Sequence, residues 1–295
     1  MRLPPVLLIG VAIASVQLGA SFAKDLFASA PPVAVAWLRL ASAAVMLTVI
    51  ARPRLTGRDR RQWLAVLAYG AVLTAMNYTF YLAIERIPIG MAVTFEFLGP
   101  LGVALAGSRR PRDFLWAGLA LLGVALLGFT PGDLDPVGVL FALLAGALWA
   151  SYIVLAGPTG RYWSGVTGVT IASWVGAITL GVPALVTAFS GAGGESGAGA
   201  GSWLADPRVW LIGCLVGLLS AVVPYGLEMV ALRRIDRGVF GILMSLEPAA
   251  AAVFALLVLG EQLRPIELAA MACVIIASIG ATRKVKQATE RIVNE

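Results

Sequence analysis

Residues 83–104 read AIERIPIGMAVTFEFLGPLGVA, and residues 231–252 read ALRRIDRGVFGILMSLEPAAAA. At an offset of 148, Ala83, Arg86, Ile87, Gly90, Leu98, Pro100 and Ala104 coincide with Ala231, Arg234, Ile235, Gly238, Leu246, Pro248 and Ala252. Seven ungapped identities in 22 positions exceed chance, although low complexity inflates the count. Each stretch runs from basic residues through an apolar segment to a proline, and each carries a glutamate beside that proline, Glu96 and Glu247. The chain therefore reads as two copies of one unit.

Outward from these stretches the composition fixes the solvent. Apolar residues make up 59% of the 295 residues and charged residues 13%, with a mean hydropathy of +0.89. A water-soluble globule sits near 45–50% apolar and about 25% charged. A spanning helix takes roughly 20 apolar residues, and apolar runs fall at about 5–23, 33–50, 63–83, 88–107, 114–130, 137–156, 165–189, 209–231, 238–259 and 266–282. The expected fold is an all-α membrane protein of about ten transmembrane helices. The first run lacks a clear signal-peptide cleavage site and is read as the first span. The longest connection, GAGGESGAGAGSW at 191–203, reads as a flexible low-complexity loop.

Basic residues set the orientation. With the N-terminus in the cytoplasm, 17 of the 22 Lys and Arg fall on the cytoplasmic side, while Lys24, Arg86, Arg208 and Arg264 fall outside. That bias follows the positive-inside rule and places both termini in the cytoplasm of a plasma (inner) membrane protein. Arg86 then lies outside and its repeat partner Arg234 inside. An odd number of helices per copy forces this inversion, so the units, 1–132 and 133–285 followed by a tail at 286–295, form an inverted repeat. Inverted repeats build alternating-access transporters, with the substrate site near midplane where the repeats meet.

The side-chain inventory narrows the chemistry. There is no histidine, so proton coupling falls to carboxylates, and a zinc site or a serine–histidine hydrolase is disfavoured. Cys214 and Cys273 sit in apolar runs without metal or redox spacing. No GxxxxGK[ST] phosphate loop occurs, and the basic residues lie in short loops, which argues against a nucleic-acid partner. No cofactor is expected; the partners are a small-molecule substrate and the lipid bilayer.

Glu96 and Glu247 each fall about nine or ten residues into a helix, near the bilayer centre at about 1.5 Å per residue. Intramembrane carboxylates face a cavity or a partner, and the neighbouring Pro100 and Pro248 each free a backbone carbonyl. Under the repeat offset Glu247 maps to Gly99, about one turn from Glu96. The two glutamates read as a substrate-ammonium or proton site; the alternative is a structural latch between helices. Asn77, Tyr78 and Tyr81, with Tyr225 opposite Asn77 in the repeat, and Gln17, Ser21, Trp149 and Tyr152 could line a cavity for a zwitterion or serve interhelical hydrogen bonding. Glu228, near Arg233 and Arg234, reads equally as a latch or a binding group. Arg39 reads first as a structurally partnered residue and second as an anion contact, and Lys24 as a snorkelling residue.

Across roughly 5–285 the chain resembles the EamA-type branch of the drug/metabolite transporter superfamily, and within it the exporters of threonine and homoserine. The resemblance rests on SVQLGASFAKDLF, MNYTFYLAIERIPIGMAVTFEFLGP, SRRPRDF, VPYGLEMVALRRI, GILMSLEPAAAAV and LGEQLRPIE. It implies two EamA repeats and secondary active export of small metabolites such as neutral amino acids. Asn77, Tyr78, Tyr81, Glu96, Tyr225, Glu228 and Glu247 match by motif. Transport of a nucleoside, an aromatic compound or a drug is the alternative, and an intramembrane enzyme a distant one. Oligomeric state is not readable from the sequence.

Overall fold

A backbone in hydrocarbon must satisfy its own hydrogen bonds, and the apolar runs do so as helices. The computed structural model describes residues 4–106, 113–128, 134–189, 202–232, 240 and 243–293, and its described elements are all helical. They are α1 (Pro5–Leu26), α2 (Pro32–Ala51), α3 (Arg60–Arg86), α4 (Ile89–Glu96), α5 (Leu98–Ala106), α6 (Asp113–Gly128), α7 (Pro136–Tyr162), α8 (Thr167–Phe189), the short α9 (Ser202–Ala205), α10 (Pro207–Gly217), a π segment (Leu218–Val222), α11 (Val223–Leu232), α12 (Glu247–Leu259) and α13 (Pro265–Val293). Among the described residues, six helices are long and apolar enough to cross a membrane, and four shorter apolar helices accompany them. The basic groups at 109–112 and 233–237, most of the 191–203 loop, and the side chains of the tail lie outside the described residues.

Local chemistry marks the boundaries. Proline opens α1, α2, α7 and α10, where its missing N–H costs nothing. Asp59, Asp135 and Asp206 cap α3, α7 and α10 by accepting from Gln62 N, Val137 N and Arg208 N, each at 2.8 Å. The Val137 N–H, with Arg86 adding its charge, holds the Asp135 carboxyl below the ordinary carboxylate range. Gly260 closes α12 at φ 70°, a left-handed conformation natural to glycine.

Three of the expected continuous helices are interrupted. In the 238–259 run a turn at Ser245 and Leu246 precedes α12, so Glu247, expected about ten residues into a helix, is instead its first residue. The 88–107 run breaks at Phe97 between α4 and α5. Pro100 lies four residues beyond Glu96 and has no N–H to return to the Glu96 carbonyl. The 209–231 run contains the π segment, whose end is marked by Val223 N–H reaching back to the Leu218 carbonyl.

Packing places the first half of the chain against the second. α3 lies on α7 and α8, α2 on α8 and α10, α1 on α11 and α12, α4 on α7 and α12, and α6 on α13. Glycines set the closest approach: a Cβ at Gly146 would stand 2.7 Å from the Glu96 carbonyl oxygen, and one at Gly99 would collide with the Gly146 carbonyl. α7 thus seats backbone to backbone on the α4–α5 break.

Ion pairs gather at one end of the bundle. Lys24 pairs with Glu261 at 2.6 Å and donates to the Ile87 carbonyl at 2.9 Å. The other oxygen of Glu261 accepts from Ile89 N at 2.9 Å. Arg86 with Asp135, at 3.2 Å, and Arg208 with Asp25, at 3.7 Å, lie at the same end.

Candidate functional site

The π segment and Pro224 open the backbone where polar side chains converge. In an α-helix the Ser220 carbonyl would accept from residue 224, but that residue is proline. Arg39 of α2 takes the vacancy, donating from an Nη to the Ser220 carbonyl at 3.0 Å. The Val223 N–H has gone to Leu218, which leaves the Leu219 carbonyl to the Ser15 hydroxyl of α1 at 2.6 Å. Two side chains from the first half of the chain are thereby bonded to freed backbone in the second.

Arg39 is the electrostatic centre of this region. Its guanidinium stands 5.9 Å from the centroid of the Tyr81 ring, and its charge reaches Glu96, Tyr81 and Tyr225. Glu96 and Glu247 are 9% and 6% exposed. Glu247 lies within electrostatic reach of both Glu96 and the half-buried Glu228. Glu247 also occupies the first turn of α12, where the helix dipole favours negative charge. Among the described residues, three acidic groups therefore share one region with one guanidinium. Burying that imbalance is costly, so either a cation enters the region or some of the carboxyls hold protons.

Tyrosines of α3, α7 and α11 extend the polar region. Tyr69 and Tyr152 stack with centroids 4.6 Å apart, and the hydroxyls of Tyr69, Tyr152 and Tyr225 couple in series. Tyr225 is in turn close to Glu228 and Arg39. The buried atoms without a hydrogen-bond partner among the described residues include Gln17 Oε1, Arg39 Nε, Tyr81 Oη and Ser220 Oγ in this region.

Most of the expected site residues converge and some stand apart. Glu96, Glu228, Glu247, Tyr81 and Tyr225 fall within one electrostatic neighbourhood. Gln17 is buried in α1, and its carbonyl accepts from the Ser21 hydroxyl at 2.9 Å. Asn77 is buried on the face of Tyr81, one turn away, with its amide donated to the Leu73 carbonyl at 2.7 Å. Tyr78 is half-buried and its charged neighbour is Glu85. Trp149 meets Phe97 edge-on at 5.4 Å, directly at the α4–α5 break. Tyr69 and Ser220 were not singled out from the sequence. The signal for Ser220 was available, since Pro224 stands four residues after it.

A shallow apolar groove of about 440 Å³ on α8, lined by Val182, Leu185, Val186 and Phe189, holds none of these polar groups. Among the described residues no cluster suited to a metal ion occurs.

The model of the EamA-like transporter family matches residues 136–283, and similarity to curated relatives extends over nearly the whole chain. The chain belongs to the EamA-like transporter family. This EamA-like chain is 42% identical over 286 residues to the threonine/homoserine exporter RhtA of Escherichia coli (strain K12), covering 96% of this chain and 92% of that one. It is 40% identical over the same length to RhtA of Salmonella typhimurium (strain LT2). A shorter stretch of 74 residues, 22% of the chain, is 39% identical to the chloramphenicol-sensitive protein RarD of Pseudomonas aeruginosa. A crystal structure 17% identical in sequence superposes with a TM-score of 0.64 over 96% of this chain and 98% of its own, a likeness of fold alone. The EamA-like chain is accordingly a multi-helix membrane transporter.

Proposed function

We propose that this transporter is a secondary active exporter of small neutral amino acids such as threonine and homoserine, working by alternating access around the Glu96–Glu247 region. The observation that carries the proposal is the electrostatic proximity of Glu96 and Glu247, each at a proline-marked irregularity and each buried, where the two halves of the chain pack. Sustained identity to the threonine/homoserine exporters supports the substrate class.

The packing favours the inverted-repeat reading. The six long and four shorter apolar helices correspond one for one to the ten runs of the sequence. The principal helix pairings map onto one another when each span is exchanged for the one five further on. α3 with α7 becomes α10–α11 with α1, and α1 with α12 becomes α7 with α4. The family match begins at Pro136, the start of α7, in keeping with a second repeat over 133–285. The positive-inside bias supports cytoplasmic termini in a plasma (inner) membrane, with the Lys24–Glu261 pair on the outer side.

In this reading the carboxylates take the substrate ammonium or a coupling proton, and no bond is made or broken by the protein. The test is efflux of preloaded labelled threonine and homoserine from proteoliposomes, with a proton gradient imposed or collapsed. Gradient-dependent efflux above protein-free vesicles supports the proposal. Efflux of neither amino acid from folded protein overturns it and directs the search to aromatic, nucleoside or drug substrates.

A further inference from the structure

Arg39 is built like a group awaiting a ligand. Arg39 and Glu96 each lie seven residues in from the starts of their helices, Pro32 of α2 and Ile89 of α4, about 10 Å along the axis. An arginine at such depth is expensive, and elsewhere in the described residues the bundle matches its inward cations with carboxylates, as Lys24 with Glu261. Arg39 has no carboxylate at ion-pair distance among the described residues. Its visible partners are one neutral carbonyl and one aromatic face.

The guanidinium offers five N–H donors in a planar fork. One is taken by the Ser220 carbonyl, while Nε is buried without a partner. Two buried hydroxyls on residues that Arg39 touches also make no hydrogen bond, that of Ser220 lying against Gly19 of α1. Tyr81 Oη belongs to the ring under the guanidinium, but no hydrogen bond of ordinary geometry joins them. Ser220 Oγ belongs to the residue whose carbonyl Arg39 holds. Unmade hydrogen bonds on buried polar atoms are costly. A planar anion with two oxygens relieves all three atoms, because a carboxylate accepts bidentately from arginine and accepts again from a hydroxyl.

We infer that Arg39, with the hydroxyls of Tyr81 and Ser220, is the recognition site for the carboxylate of the transported amino acid, opposite the glutamates that receive its ammonium. The inference rests on the amino-acid reading above and adds polarity to it. The substrate lies with its acid end toward α2 and the π segment and its amine end toward α4 and α12. Bound in this way, a zwitterion supplies the missing anion to Arg39 and the missing cation to the carboxylates in one step.

The test compares three competitors of labelled threonine binding to the full-length protein: threonine, threonine amide, which keeps the amine and loses the carboxylate charge, and 3-hydroxybutyrate, which does the reverse. Wild-type protein should favour threonine over its amide by about tenfold or more, the usual scale for a charge-assisted pair. In Arg39→Gln that preference should collapse toward unity while the amide binds as before. Arg39→Lys keeps the charge but loses the fork, so it should show a reduced preference and decides the matter if Arg39→Gln does not fold. Equal weakening of all three competitors in Arg39→Lys assigns the arginine a structural role and overturns the inference. An unchanged acid-to-amide preference in both variants also overturns it, with the exporter reading intact. Failure of every amino acid to bind folded wild-type protein removes the exporter reading itself.

Discussion

A glutamate at the depth of Glu96 has no water to fall back on. Its neighbours are Arg39 in electrostatic reach and the Gly146 backbone against its own carbonyl, and both constrain what can replace it. Glu96→Gln and Glu247→Gln keep the shape and remove the charge, so membrane insertion and thermal midpoint should hold while efflux falls by about tenfold or more, the scale of one charged hydrogen bond. Normal efflux in both variants would remove the midplane site. Gly146 is a sharper case. A single methyl there stands 2.7 Å from the Glu96 carbonyl, so Gly146→Ala should destabilise by about 1–3 kcal/mol as over-packing. The readout is a lowered melting midpoint of the purified protein. Gly10→Ala, which meets nothing within 4 Å, is the matched control and should not melt earlier.

At the scale of the element, a proline decides which carbonyl is free. Pro224→Ala returns an N–H that can reach the Ser220 carbonyl and compete with Arg39 for it. The variant should melt no earlier than wild type, because interior proline disfavours a helix by about 3 kcal/mol relative to alanine, yet its efflux should fall. Retained efflux with lowered stability would contradict that account. Runs of apolar residues made the helices legible in the sequence, and prolines made Glu96 and Glu247 stand out. The same rule applied to Pro224 points at Ser220. What it cannot yield is the partner, because Arg39 lies 181 positions away and meets Ser220 only through packing of α2 on the π segment. Tyr78 illustrates a second limit. It adjoins Asn77 in sequence, but one residue along a helix is a turn of about 100°. Asn77 and Tyr81, four apart, share the buried face instead.

At the scale of the whole molecule, the described ion pairs tie the bundle at one end. Glu261 joins Lys24 of α1 to the start of α4, beside the direct bond from Lys24 to the Ile87 carbonyl. An exporter must open that end to release its load, so the pair should behave as a closure. Glu261→Gln weakens it without removing bulk. With Cys214 and Cys273 replaced by alanine, a cysteine at the buried Ser21 should then react several-fold faster with a membrane-impermeant thiol reagent applied from outside. An unchanged rate would show that the pair does not govern access. The contact of Gly146 with the α4–α5 break has the opposite character. Side-chain contacts slip when helices tilt, but two backbones pressed together leave nothing to slide. If the ends of the bundle move, this point stays put and serves as a fulcrum, so the lever arms to either face are set by where the glycine falls along α7. Moving that glycine by one turn would change how far each end swings while leaving the chemistry of the glutamates as it is.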